Sequence, residues 1–204
     1  MPMKTMAIQR DAGYTLVEVV LALGLSLFTL SLLYTIYVRE IHAQQVRENI
    51  LDAQQRARVV VDLISRELLM AGYDPAGVNH DANPANDFFG VKVGPNGLEI
   101  QSDLNGNGLL SEANETILFS YDSSAHILRR NTGGGNQPLA EDIELFQVRL
   151  LDKAGAQTNL PTEVRAVELI VTARTSHPDP RYAQNGGFRT VTFLERVVPR
   201  NSIR

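Results

Sequence analysis

The run Val19–Val38 reads VVLALGLSLFTLSLLYTIYV, twenty residues without a charge, and Gly13-Tyr14-Thr15-Leu16-Val17-Glu18 leads directly into it. As a helix rising about 1.5 Å per residue, the run spans about 30 Å, the depth of a bilayer's hydrocarbon core. Within residues 1–13, Lys4 and Arg10 stand against the single acid Asp11. A positive flank keeps the N-terminus cytoplasmic and sends the rest of the chain outward. A cleaved secretory signal fits poorly, because its apolar region would be shorter and a small-x-small site would follow. Here Val38 runs instead into REIHAQQVRENI, which continues as helix. One residue sets this run apart from a plain anchor. Glu18 sits at its cytoplasmic edge, and a carboxylate in the membrane costs about 2.5–3.5 kcal/mol and calls for a partner.

Downstream the polarity rises while helical spacing persists. Ile50, Ala53, Ala57, Val60, Val61, Ile64 and Leu68 recur at three- and four-residue intervals, with Arg47, Glu48, Asp52, Arg56 and Arg66 between them. That pattern predicts an amphipathic extension over 39–71, closing at Ala71 with Gly72 as its C-terminal cap. No proline interrupts 14–71, so a single helix of about 85 Å is expected. Residues 72–97 are rich in Gly, Pro, Asn and Asp and read as a long loop. Strand-like runs follow at Leu98–Gln101, Thr116–Tyr121, His126–Arg130, Ile143–Leu151, Val164–Ala173 and Thr190–Val198, with turns at Ser123-Ser124, Gly133–Gly135 and Lys153–Gly155. The expected fold is α+β, one long helix packed on a mostly antiparallel sheet.

The string Gly13-Tyr14-Thr15-Leu16-Val17-Glu18 resembles the type IV prepilin signature. That resemblance implies a leader over 1–13, cleavage after Gly13 by a membrane prepilin peptidase, and methylation of the new amine on Tyr14. It also implies that Glu18, fifth in the mature chain, pairs with a neighbouring subunit's N-terminal amine during assembly. The family's usual first mature residue is Phe, and Tyr14 departs from it conservatively. Electrostatics agrees with such a pairing, since opposite charges in a low dielectric are far cheaper together than apart. The stretch ARVVVDLISRELLMAGYDP at Ala57–Pro75, the segment QPLAEDIE at Gln137–Glu144 and the Val164–Thr175 strand are similar to the PilW-type minor pilins. GspJ-type pseudopilins of type II secretion share much of this layout. The family's fold would place the transmembrane and filament-core half of the helix at 14–38 and a β-rich globular region at 72–204.

Two further readings concern ligands. Asp103-Leu-Asn105-Gly-Asn107-Gly108-Leu109 resembles an EF-hand or dockerin calcium loop, with oxygen ligands at alternate positions and glycine at the sixth. The backbone carbonyl of Leu109 would supply the seventh position. Position twelve falls on Asn114, and the acid Glu115 arrives one residue late. Two Asn-Gly turns in a surface hairpin account for the same residues. Both readings stand on the sequence alone. The histidines His42, His80, His126 and His177 show no ligand spacing and are expected to be solvated.

Composition bounds the rest. The chain has 204 residues, 19 basic and 23 acidic, net charge −4, and no cysteine. Disulfides, zinc-thiolate sites, iron–sulfur clusters and thiol catalysis are therefore excluded. With no basic excess, no nucleic-acid contact is expected. No catalytic constellation is present, no cofactor is expected to be required, and calcium is the one candidate ligand. The expected protein is a minor pilin, inserted in the inner membrane with its globular part periplasmic and passing to the pilus on assembly. Its expected partners are other minor and major pilins, the prepilin peptidase and the assembly platform. The alternatives are a type II secretion pseudopilin and a membrane-anchored periplasmic binding module.

Overall fold

A computed structural model describes residues 13–94 and 97–201. Apart from Gly13, the expected leader lies outside the described residues. The charge-free run and its amphipathic continuation form one helix, α1, Leu16–Met70. Among the described residues eight strands follow: β1 Val91–Gly94, β2 Gly97–Gln101, β3 Thr116–Asp122, β4 Ile127–Asn131, β5 Gln137–Ala140, β6 Ile143–Leu151, β7 Ala166–Arg174 and β8 Thr190–Val197. The chain divides into two compact units between Gln45 and Val46, a boundary that falls inside α1. The first unit is the apolar helical segment. The second holds the remainder of α1 and all eight strands.

In the second unit, α1 buries Ala53, Ala57, Val60, Val61, Ile64 and Leu68. Gaps of three or four residues, with Val60 and Val61 side by side, keep this stripe on one face of a 3.6-residue helix. It packs against Leu98, Ile100, Phe119, Leu128, Ile143, Val167, Leu169, Val171 and Ala173 from the strands. The architecture is α+β, a long helix on antiparallel β-structure. The strands form two sheets rather than one: a five-stranded meander β1-β2-β3-β4-β5 and a three-stranded meander β6-β7-β8. Every pairing is antiparallel. The break falls at Asp142, where φ is +57° and the chain turns out of the first sheet before β6 begins.

Side chains join the two sheets across that corner. The Tyr121 hydroxyl on β3 lies 2.8 Å from the carbonyl oxygens of both Ile143 and Glu144 at the start of β6. From α1, the Arg56 guanidinium donates to Asp142 at 3.2 Å and to Ser176 at 3.0 Å. Arg174 reaches the same Asp142 from the end of β7 at 3.5 Å. A second pair, Arg130 to Glu67 at 2.6 Å, ties β4 to the helix.

The helix ends one residue before Ala71, and Gly72 follows with φ +73°. Its N–H donates to the Gln101 carbonyl of β2 at 2.8 Å. A Cβ there would lie 2.5 Å from the Asn201 carbonyl oxygen, so both the left-handed backbone and the close approach require glycine. The 72–97 excursion contains a short 3₁₀ turn, Val78–His80, and then β1, which the sequence reading assigns to loop. At the β1–β2 hairpin, Gly97 has φ +122° and a Cβ would overlap the Phe119 carbonyl oxygen on the neighbouring strand.

Candidate functional site

Two places carry the residues singled out from the sequence, one in each unit. At the start of α1, Gly13, Tyr14 and Glu18 are exposed. Among the described residues, nothing lies within 4 Å of where a Cβ of Gly13 would stand. Local packing therefore gives no reason for glycine at this position.

Glu18 is the first acidic residue of the helix. Its Oε2 accepts from the Thr15 N–H at 2.8 Å and from the Thr15 hydroxyl at 2.9 Å. In return the Glu18 N–H donates to Thr15 Oγ1 at 3.3 Å. Thr15 and Glu18 thus form a reciprocal capping box, with threonine as N-cap and glutamate three residues on. Such a cap is worth about 1 kcal/mol to a helix end. The signature Thr-x-x-Glu ahead of an apolar run is legible in the sequence, and the sequence reading does not use it. Tyr14 stands just outside the box, so a free amine there would lie four residues, about one helical turn, from Glu18.

The apolar half of α1 beyond this cap is exposed throughout, and none of its most apolar window is buried. It is long and apolar enough to cross a membrane. The hydroxyls of Ser26, Thr29 and Thr35 each donate to the carbonyl four residues back, so these three are satisfied within the helix itself. That is what hydrocarbon surroundings require.

The second place is the loop joining β2 to β3. Its two ends are held together, with the Ser102 N–H donating to the Glu115 carbonyl at 2.9 Å. Asp103 is wholly buried, and its two oxygens accept from Gly106 N–H at 2.7 Å and Gly108 N–H at 2.9 Å. Asn105 Oδ1 accepts from Asn107 N–H at 2.8 Å, and Asn107 Oδ1 from Leu109 N–H at 2.7 Å. Asn105, Asn107 and Leu109 are exposed. Gly106 and Gly108 have φ of +78° and +74°, which lets the chain double back at each Asn-Gly step. Glu115 is buried at 1% exposure. Its Oε2 accepts from Glu112 N–H at 2.9 Å, and among the described residues its Oε1 has no hydrogen-bond partner. The residues of both sequence readings of this segment are therefore present: consecutive side-chain turns, and carboxylates at the two ends. Among the described residues, no three His, Cys, Asp or Glu side chains gather as a metal cluster.

The histidines differ in setting. His80 is exposed, 3.9 Å from Asp74, whose carboxylate caps the 3₁₀ turn by accepting from Val78 and Asn79 N–H. His126, expected to be solvated, is instead part-buried. Its Nδ1 lies 3.2 Å from the Ile143 carbonyl and 3.8 Å from Glu144, because φ of +56° folds it back under the start of β6. Neither the sheet-corner network of Arg56, Asp142 and Arg174 nor this histidine contact carries a sequence signal, since the partners are 32 or more positions apart for the network and 17 or more for His126.

Comparison with protein-family models and with curated proteins yields no match to this chain.

Proposed function

We propose that the protein is a minor type IV pilin of PilW type, a structural subunit that enters or primes a pilus after its leader is removed. One observation carries the reading. A Gly-Tyr-Thr-Leu-Val-Glu string directly precedes a twenty-residue charge-free run. The helical, fully exposed state of that run and the antiparallel sheets on the second half of α1 are compatible with it. On this reading the prepilin peptidase cuts after Gly13 and the Tyr14 amine is methylated. The apolar helix stays in the inner membrane until extraction and then packs among equivalent helices of major and minor pilins. Glu18 sets axial register by pairing with the amine of a neighbour. The β-rich region faces the periplasm, then the exterior, and contacts other minor pilins.

A second reading, a membrane-anchored periplasmic binding module, draws on the capping box, because Thr15 already gives Glu18 a local role. Three substitutions separate the two. Glu18→Gln preserves the cap, since Gln serves at this position as Glu does, but removes the charge. Thr15→Ala does the reverse. In a host that assembles pili from this subunit, the pilin reading expects Glu18→Gln and Glu18→Ala to be processed yet absent from sheared filaments, with Thr15→Ala incorporated. If Thr15→Ala fails as badly as Glu18→Ala while Glu18→Gln assembles, Glu18 acts as a cap and its charge-pairing role falls; absence of the wild-type chain itself from sheared filaments would overturn the pilin reading in favour of the anchored module.

A further inference from the structure

We propose that the β2–β3 loop, Asp103 to Glu115, is a calcium site of low affinity, closed by Glu115. The inference is independent of the pilin reading.

Asp103 and Glu115 are 0% and 1% exposed, and among the described residues no cationic side chain pairs with either. Two buried carboxylates emerge from one pinched base, the Ser102–Glu115 backbone pair. Burying an ionised carboxylate without a counter-charge is strongly unfavourable. Asp103 recovers part of the loss through two backbone N–H groups. Glu115 has only the Glu112 N–H, on one oxygen. That bond turns its carboxylate back toward its own loop, and Oε1 is left buried without a donor. A cation bound by the loop answers both the missing counter-charge and the orphaned oxygen.

The donor set selects the cation. Two carboxylates, the amide oxygens of Asn105 and Asn107 and the Leu109 carbonyl are all hard oxygen donors, which exclude a soft-metal preference. Each Asn oxygen accepts one N–H and keeps a second lone pair. An irregular loop of mixed charged and neutral oxygens suits calcium, which accepts six to eight ligands flexibly, over magnesium, which demands a near-ideal octahedron. With two formal charges the site belongs at the weak end, Kd on the order of 10⁻⁴–10⁻³ M.

The apparent misregister of the acid also acquires a reason. Asn114, at the twelfth position, has φ +69° and is exposed, its N–H held by the Thr132 carbonyl at 3.1 Å. This left-handed residue rotates the chain so that the next side chain, Glu115, is the one delivered inward.

The test is a thermal melt of the full chain in detergent with calcium chloride, with magnesium chloride, and with chelator. Calcium at about ten times Kd is expected to raise Tm by about 3–6 °C, with magnesium giving no comparable rise. Glu115→Gln should abolish the calcium rise without lowering the chelated Tm, because the amide removes the uncompensated charge. Asn107→Ala, at an exposed position, should keep the chelated Tm and weaken calcium binding at least about fivefold. An unchanged wild-type Tm in calcium would overturn the site. So would a calcium rise that persists in both variants, and an equal response to magnesium would overturn the assignment to calcium.

Discussion

α1 contains two stretches that share a backbone conformation and differ in everything else. From Leu16 to Gln45 its large apolar side chains point to the surroundings: Leu25 is 68% exposed and Tyr34 69%. From Val46 to Met70 apolar residues are fewer, yet six of them are buried by strands of the same chain. Hydrophobicity by itself therefore does not locate the core. Periodicity does, because an all-round apolar helix has no preferred face for a sheet, whereas the Ala53-to-Leu68 stripe has one. The described residues of the chain leave the first stretch unburied, and it is long and apolar enough to cross a membrane, whereas the second is buried by its own strands.

Deleting a core side chain has the largest expected effect. Leu68→Ala should cost about 2–5 kcal/mol and lower Tm of the β-rich unit, followed by circular dichroism of the full chain in detergent. The same change at Leu27, 66% exposed in the apolar stretch, should leave that Tm within error. Equal losses at both positions would mean that the two stretches do not differ in the way argued.

A smaller effect sharpens the account of the second unit. Removing the Tyr121 hydroxyl, whose single proton is shared between two part-buried carbonyls and bridges β3 to β6, should cost about 0.5–1.5 kcal/mol. Burial, and then the nearby Glu144 charge, raise the Tyr121 pKa above its ordinary value near 10. A raised folded pKa means the phenol's contribution is whole below pH 10 and is lost as pH climbs through the higher folded value. Melts between pH 8 and about 11 should show an alkaline fall in the wild type that Tyr121→Phe reduces. An identical alkaline limb in both proteins would remove Tyr121 as its source.

Much of this architecture is written locally. The stripe on α1, the Gly72 terminus and the strands β2, β3, β4, β6, β7 and β8 follow from period and turn chemistry to within two or three residues. β1 and β5 do not. β1 is four residues long with only Val91 buried, and β5 contains Pro138, which reads as loop and is tolerated because β5 is an edge strand. The division into two sheets rests on the left-handed Asp142 and its two arginine partners, a long-range arrangement with no local pattern. At the candidate sites, the Thr15–Glu18 cap was legible as Thr-x-x-Glu. The inward turn of Glu115 was not, because it depends on the conformation of Asn114.

The pilin reading stands or falls on what happens between Gly13 and Tyr14. The decisive measurement is the intact mass and N-terminal sequence of the protein recovered from membranes of a host carrying the prepilin peptidase, with Gly13→Ala as control. Among the described residues that variant meets no steric obstacle, so a change in it reports processing rather than folding. The account predicts a wild-type chain beginning at methylated Tyr14 and a Gly13→Ala chain that keeps its leader. A wild-type chain still beginning at Met1 would contradict it and leave α1 as the anchor of a periplasmic domain.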